Sequence, residues 1–506
     1  MKKSTIARAL AALCLAGSSA PALATNGMNM EGYGPIATGM GGASMAYDNG
    51  TAGVINNPAT LGLMGEGSRV DLALGFLGPN VSSSAMGMRS DSRGDAYYMP
   101  AFGFVAKRGA LSYGVGVFAQ GGMGTEYGTS SILNGYRSAM GGMGMNGVPV
   151  AMGGDGLPAN ENRSEVGVGA LIFPVAFNVS PNLTIGGALD YKWAGMDVMM
   201  QLPGSTMAGM MQPGGSGVGS ISGGMVNGFG LAMMPGSGGP GVAMLSDLNW
   251  GQFKFSNHND YTGRANATGW GGRFGLVYKA SPELSFGASY HLQSQIADLE
   301  GRADLAMNVN MMNNAMTHVP VNISGRIAVH DFQWPSMFGV GAAYQAGGQW
   351  LVAADYRRIN WSEVMDKFRM TFTADAQQSD PAAQGILQFM AANGITSGDL
   401  SAVLNQNWKN QNVFQVGVSY RASDALTLRA GFNTANNPVP NDTVNALFPA
   451  TVKTHYTLGL GYAFSKASEL NFSATFARKN TVENAGAGMS ISHSQFNWQL
   501  MYTHRL

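Results

Sequence analysis

The chain has 506 residues, of which only 11% are charged, and its 29 Lys and Arg balance its 29 Asp and Glu. This balance gives no basic surface of the kind that nucleic-acid binding needs, so nucleic acid is not an expected partner. After the N-terminal leader, no stretch approaches the ~20 continuous apolar residues of a transmembrane helix, which excludes a bundle of membrane-spanning helices.

The first 24 residues have the pattern of a secretory signal peptide. Basic residues precede an apolar run at 9–16, and small residues surround Leu23, as a cleavage site requires. The mature chain is therefore expected to begin at Thr25. The single cysteine, Cys14, lies in the leader, so the mature protein is expected to lack disulfides.

Residues 25–67 show no alternation and are rich in small residues, and they include the sequence NNPATLG at 56–62. Asn57 and Pro58 favour a tight turn, and small neighbours such as Ala59 let the backbone approach other elements closely. We expect a compact irregular segment here.

From residue 68 onward, short stretches alternate between apolar and polar residues. In 284–293 the apolar set is Leu284, Phe286, Ala288, Tyr290 and Leu292, and the intervening residues are mostly polar. A soluble β-sandwich alternates in the same way. The leader, the aromatic residues at the ends of the apolar faces and the unequal connections favour an all-β transmembrane barrel.

The connections are short at one end of the predicted strands and long at the other. Six short turns are KRGA at 107, SPN at 180, ASPE at 280, AGGQ at 346, RASDA at 421 and SKAS at 465, and the long connections include 121–163, 199–262, 299–320 and 373–407. Short periplasmic turns and long extracellular loops are typical of outer-membrane barrels. Counting strands through these turns predicts a 14-stranded antiparallel barrel over 68–506.

A lumen of this width cannot be filled by the side chains of the strands alone. We therefore assign residues 25–67 as a plug inside the barrel, and call this segment the hatch.

Pro335 interrupts the stretch ISGRIAVHDFQWPSMFGVGAAY, which must form one long strand to keep the count even. Proline cannot donate to the ladder, so a bend, bulge or gap is expected there. The break is either a structural irregularity or an opening in the wall.

Three stretches carry a resemblance to a known family. They are TNGMNMEGYGPIATGMGGASMAYDNGTAGVINNPATLG at 25–62, PSMFGVGAAYQAGGQWLVAADYRRINWSEV at 335–364 and WKNQNVFQVGVSYRASDALTLRAGFNTANNPVP at 408–440. Together they resemble the FadL/TodX family of outer-membrane transporters of fatty acids and aromatic hydrocarbons. The resemblance implies a location in the outer membrane of a Gram-negative bacterium, a hatch with Asn57, Pro58 and Ala59, and a lateral gap at a kinked strand. The sequence FPATVKTHYTLG departs from an acidic element that many members carry, so no role is carried over there.

Charged residues at inward positions of the predicted strands are candidates for ligand contact. Such charges either pair with one another and with the hatch, or leave a cation free for a carboxylate-ended substrate. The candidates for the second case are Lys192, Arg357 and Arg429.

The expected function is passive transport of hydrophobic compounds, foremost long-chain fatty acids. Loops would capture the compound, the lumen would bind it, and hatch movement and lateral release near Pro335 or another kink would follow. The alternative is a water-filled porin for small polar solutes. An enzyme is not expected, since neither an H-E-x-x-H pair nor a G-x-S-x-G elbow before a helix occurs.

The remaining expectations concern partners and the 34 methionines. We expect a monomer in contact with outer-membrane lipid and lipopolysaccharide, without a cofactor or metal. Methionine-rich loops suit an adaptable hydrophobic entrance. They are equally consistent with low-complexity loops of no specific role.

Overall fold

The computed structural model describes residues 25–85, 87–134, 160–232, 244–259, 262–313 and 315–506. The predicted signal peptide lies outside these residues. The strands in chain order are β1 (Gly67–Ala85), β2 (Met88–Asp91), β3 (Tyr97–Arg108), β4 (Leu111–Gly128), β5 (Asn162–Ser180), β6 (Leu183–Pro203), β7 (Gly219–Ser222), β8 (Met244–Phe255), β9 (Ala265–Lys279), β10 (Leu284–His291), β11 (Gln295–Ile296), β12 (Leu299–Asn313), β13 (Ala315–His330), β14 (Met337–Ala346), β15 (Trp350–Ile359), β16 (Lys367–Ala374), β17 (Asp399–Asn405), β18 (Gln411–Arg421), β19 (Leu426–Ala435), β20 (Thr454–Ala463), β21 (Ser468–Asn484) and β22 (Met489–Arg505).

Antiparallel pairing closes the sheet into a barrel. The last strand pairs with the first, from Arg505 opposite Arg69 to Met489 opposite Ala85. The closed ring contains fourteen strands and passes through β1, β3, β4, β5, β6, β9, β10, β14, β15, β18, β19, β20, β21 and β22. The predicted closed, all-β antiparallel barrel is therefore confirmed.

Alternation along the strands explains which face each side chain takes. On β20, the side chains of Tyr456, Leu458 and Leu460 are 40–53% exposed on the outer face, whereas His455 and Thr457 are at most 2% exposed inside. An apolar outer wall and a polar inner wall suit a barrel surrounded by lipid. Among the described residues, no helix combines the length and apolar character needed to cross a membrane.

The long connections are more structured than the sequence suggested. The whole sheet has 22 strands, so the predicted total of 14 strands over 68–506 is too low, and eight strands lie outside the closed ring. Six further strands continue the sheet from the C-terminal end of β6, in the order β8, β12, β13, β16, β17 and β7. β8 pairs with the end of β6 from Val198 to Pro203, beyond the residues of β6 that pair with β9.

Helices also occur in these connections. They are α3 (Gly204–Met211), α4 (Gly224–Ala232) and α5 (Pro381–Ala392), numbered after the two hatch helices α1 (Pro35–Thr38) and α2 (Gly53–Asn56). The side chain of Asp380 caps α5 by accepting from the backbone N–H groups of Ala382 and Ala383. Residues 199–250, predicted to belong to a long connection, thus contain two helices, although parts of that range lie outside the described residues.

The single long strand predicted around Pro335 is two strands. β13 ends at His330 and pairs with β12 and β16, whereas β14 begins at Met337 and pairs with β10 and β15. Residues 331–336 belong to neither ladder. The break contains Pro335, which has no backbone N–H to donate.

The hatch packs against the inner faces of strands all around the ring. Besides α1 and α2, it forms short 3₁₀ helices at Gly50–Ala52 and Pro58–Leu63 before β1 starts at Gly67. Its hydrogen bonds reach Asp71 on β1, Ser112 on β4, Arg273 on β9, Ser285 on β10, Asp355 on β15 and Thr457 on β20. Residues 25–66 therefore lie in the lumen.

Candidate functional site

The ladder between β3 and β4 ends halfway along the strands. The two strands pair from Arg108 opposite Leu111 to Phe102 opposite Val117, and no further. Beyond this point β3 remains paired with β1 as far as Tyr97, and β4 remains paired with β5. Residues 97–101 and 118–122 therefore face each other across a gap in the wall.

The gap arises because β4 bends inward onto the hatch. The register with β5 shifts between Ala119 and Gly121, and Gly121 forms an isolated bridge with Asn29. The hydroxyl of Tyr33 donates to the carbonyl oxygen of Gln120 over 2.5 Å. A Cβ atom on Gly121 would overlap the carbonyl oxygen of Met28, so this close approach requires glycine.

A cavity of about 350 Å³ fills the gap and crosses the wall; we call it the lateral cavity. Its outer part includes the exposed residues Tyr98 and Pro100. Its inner part reaches Gly27 of the hatch and His493 on β22. The lateral cavity thereby connects the outer face of the barrel with its lumen.

The lining of the lateral cavity is mainly apolar and aromatic. Aromatic contributions come from Tyr98, Phe118 and Trp193, and no Lys or Arg occurs among its described lining residues. The one acidic lining residue, Glu165, accepts from Arg163 over 3.0 Å. Such a surface favours uncharged apolar ligands, because a buried ion without a partner is costly.

Three tryptophans lie next to the place where β4 meets the hatch. Trp361 contacts Trp334 and Trp408 edge to face, with ring centroids 5.6 and 5.4 Å apart. Trp361 is fully buried and packs against Gly27, and Trp334 packs against Gly121. This aromatic cluster belongs to the large apolar core above the hatch.

The three predicted ligand-binding cations are engaged elsewhere in the lumen. Lys192 bonds to Gln120 and lies 3.4 Å from the Asp190 carboxylate. Arg357 donates to Gly42 O over 2.9 Å and to Ser44 Oγ over 2.6 Å in the hatch. Arg429 donates to Asn471 over 2.9 Å. None of the three lines the lateral cavity.

The predicted hatch turn sits against β9. Asn57 donates through Nδ2 to Met45 O over 2.7 Å and to Leu276 O over 3.3 Å, while its Oδ1 accepts from the N–H of Ala59 over 3.1 Å. Pro58 begins the following 3₁₀ helix. The side chain of Asn57 thus caps that helix and ties it to the wall.

A side chain bonds across the predicted break at Pro335, and a further cavity borders this side chain. Gln333 Oε1 accepts from the N–H of Ile296 and from Ser294 Oγ, both over 2.8 Å, and its Nε2 donates to Ile296 O over 2.7 Å. Gln333 therefore replaces the ladder that residues 331–336 leave unmade. The wall gap that holds the lateral cavity lies instead between β3 and β4.

Sequence reasoning missed the β3–β4 gap. The available signal was the run of Gly121, Gly122 and Gly124 inside a strand, a composition that indicates a bulge or a close backbone approach.

Among the described residues, no group of three or more His, Cys, Asp or Glu is placed to hold a metal ion.

A closed barrel with an apolar outer wall, an internal N-terminal hatch and a cavity through the wall defines an outer-membrane β-barrel. The chain belongs to the family described as outer membrane protein transport protein (OMPP1/FadL/TodX), whose sequence model matches residues 161–501. This is a family of transport channels and not of enzymes, and its members lie in the outer membrane of Gram-negative bacteria.

Solved structures support the same assignment. The Pseudomonas putida toluene transporter TodX is 27% identical, with a TM-score of 0.73, over 94% of this chain and 99% of that chain. The Ralstonia pickettii toluene transporter TbuX is 28% identical, with a TM-score of 0.69 over the same shares. A Pseudomonas aeruginosa FadL homologue shares the fold, at 14% identity and a TM-score of 0.60, over 94% of this chain and 99% of that chain.

One curated relative matches a shorter part of the chain. It comes from Chlorobium limicola, is described as an uncharacterized protein in the phosphoenolpyruvate carboxykinase gene 5' region, and is 46% identical over 93 residues. The match covers 18% of this chain and 45% of the length of that relative.

Proposed function

We propose that this barrel passively admits small hydrophobic compounds across the outer membrane and releases them sideways into the bilayer through the lateral cavity. The observation that carries the proposal is the end of the β3–β4 ladder at Phe102 and Val117. Beyond that pair, a cavity replaces the ladder and reaches both the lumen and the outer face.

The hatch supports a lateral route over an axial one. Its residues from Met28 to Leu61 are almost all buried, and their hydrogen bonds hold them to strands around the ring. An apolar compound that enters the lateral cavity from the lumen need not displace the whole hatch. Burial of apolar surface, at about 25 cal/mol per Å², supplies the driving force.

The lining of the lateral cavity supports a neutral substrate. TodX and TbuX are described as toluene transporters, and a compound of that class needs only apolar contact. A fatty-acid carboxylate would need a cation or several donors. The described lining has no Lys or Arg, so we propose monoaromatic hydrocarbons in preference to the long-chain fatty acids expected from the sequence.

Uptake measurements test this proposal. Cells that lack related channels are compared with and without this protein for uptake of labelled toluene and labelled oleate at concentrations below their passive saturation. We expect faster toluene uptake and unchanged oleate uptake when the barrel is present. Oleate uptake without toluene uptake would overturn the substrate class, and a steady large ionic current from the purified protein would favour the porin alternative.

A further inference from the structure

One residue that lines the lateral cavity carries a buried polar atom without a hydrogen-bond partner. His493 is 5% exposed and lines the cavity. Among the described lining residues, its Nε2 is the fully buried side-chain nitrogen or oxygen without a hydrogen bond. Buried polar groups are nearly always hydrogen-bonded, and leaving one unpaired is costly.

The other ring nitrogen determines what Nε2 can do. His493 Nδ1 lies 2.7 Å from the carbonyl oxygen of Pro449. A carbonyl oxygen only accepts, so Nδ1 carries the proton. No salt bridge holds His493 among the described residues, and a buried imidazole without an ionic partner is stable in its neutral form. Nε2 is therefore an acceptor with a free lone pair.

The surroundings of His493 restrict the complementary ligand. Tyr98, Phe118 and Trp193 provide aromatic surface in the same cavity, where aromatic rings pack favourably against one another. The carboxylate of Glu165 also lines the cavity and disfavours an anionic ligand. A ligand that satisfies the site is thus uncharged, aromatic and equipped with one hydrogen-bond donor.

We propose that the lateral cavity binds hydroxyl-bearing monoaromatic compounds, that is phenols, with the hydroxyl donating to Nε2 of His493. This inference rests on the proposed function and narrows its substrate class. Aromatic hydrocarbons without a hydroxyl enter the same cavity through apolar contact but leave Nε2 unpaired. His493 accordingly discriminates between compounds of nearly equal size.

Equilibrium binding to the purified full-length barrel tests the inference with 4-methylphenol, toluene and 4-methylanisole. The methyl ether has a similar shape to the phenol but no donor. In His493→Phe we expect 4-methylphenol to bind about fivefold more weakly, as for one lost neutral hydrogen bond, and toluene to bind as in the wild type. The matched control is His455→Phe, another buried lumenal histidine that bonds to a backbone carbonyl and does not line the cavity.

The outcomes separate the two proposals. Equal weakening of all three compounds in His493→Phe would assign His493 a packing role and overturn the inference, as would unchanged binding of 4-methylphenol. If the variant does not fold, the wild type decides. Relative to partition into hexadecane, where the hydroxyl has no partner, it should bind 4-methylphenol at least ~100-fold better than 4-methylanisole, and an excess below about tenfold would overturn the inference. Absence of saturable binding for all three compounds would contradict the proposed function itself.

Discussion

Gly122 donates its backbone N–H to the carbonyl oxygen of Met28 over 3.0 Å. This bond joins β4 to the hatch within the stretch where β4 no longer pairs with β3. The neighbouring Gly121 continues the contact through its bridge with Asn29. The same stretch of β4 therefore borders the lateral cavity and contacts the first hatch residues.

Gly121→Ala should separate β4 from the hatch. The added Cβ would overlap Met28 O, and φ at this position is +155°, which L side chains rarely adopt. We expect faster amide hydrogen exchange at Met28, Asn29 and Gly122 and altered toluene uptake. Gly167→Ala is the control, because Gly167 lines the same cavity but has nothing within 4 Å of the added atom. Equal rates of amide hydrogen exchange in the two variants would show that Gly121 does not hold β4 against the hatch.

Arg357→Met should loosen the hatch. Arg357 donates to Gly42 O and Ser44 Oγ, and the neighbouring Asp355 accepts from the N–H groups of Ser44 and Met45. Without the Arg357 guanidinium, the buried Asp355 carboxylate loses its neighbouring cation. The free energy of unfolding should therefore fall by about 3 kcal/mol. We expect lower thermal stability and brief ionic openings in single-channel recordings, with toluene affinity unchanged.

The control for that experiment is Arg358→Met. Arg358 is the next residue on β15, exposed on the outer face, and bonds to Asn360. Its loss should leave conductance at the wild-type level. Reduced affinity for a carboxylate ligand in Arg357→Met, without openings, would instead support the ligand-binding role that the sequence predicted.

Glu31 should make the hatch sensitive to pH. Burial raises the pKa of this hatch carboxyl to about 7 from its usual 4.5. Between those values the folded state binds more protons than the unfolded state. The contribution of Glu31 to the free energy of unfolding is therefore fully present below pH 4.5 and is lost as the pH rises through 7. The expected loss is about 3 kcal/mol.

Hydrogen exchange of residues 25–66 at pH 4.5 and 7.5, corrected for intrinsic rates, measures this effect. Glu31→Gln removes the charge and should flatten the dependence. The exposed Glu483→Gln should preserve it. If the exchange protection of the wild-type hatch does not change with pH, burial does not raise the pKa of Glu31, and the prediction is wrong.

Gln333→Leu should open the second break in the wall. The change leaves the N–H and carbonyl oxygen of Ile296 without their side-chain partner, at a cost of about 2 kcal/mol. We expect faster exchange over 294–297 and lower thermal stability. Gln293→Leu is the control, because Gln293 is exposed on the same segment. Unchanged exchange in Gln333→Leu would mean that the segment holds its position without Gln333.

The barrel could be predicted because the alternation and the short turns that indicate its strands are each contained in a few consecutive residues. Alternation such as Tyr456, Leu458 and Leu460 against Thr457 depends only on the period of a strand, and the structure exposes the first set and buries the last. The six short turns join consecutive strands as predicted. Strands β7, β8, β12 and β17 lie in the connections that were predicted to be loops and were missed. β7 and β8 pair with β17 and β12, which are distant in the chain.

The lateral cavity was not predictable for a related reason. Whether β3 and β4 stay paired beyond Phe102 depends on the contact between Gly121 and Met28, which are 93 positions apart in the chain. Pro335 has a local signature, so the break in the strand was predicted, but the bonds of Gln333 depend on Ser294 and Ile296, which are distant in the chain. The bonds of Lys192, Arg357 and Arg429 likewise depend on residues far away in sequence.

The central claim is that solutes leave through the wall between β3 and β4. Ala119→Trp places a large side chain in the lateral cavity, whereas Ala342→Trp places the same group on the outer wall between the exposed Val340 and Tyr344. Both variants are assayed for labelled toluene uptake after folding is verified by heat-modifiable migration. Loss of barrel-dependent uptake in Ala119→Trp, with wild-type uptake in Ala342→Trp, is the predicted result; wild-type uptake in both would contradict it.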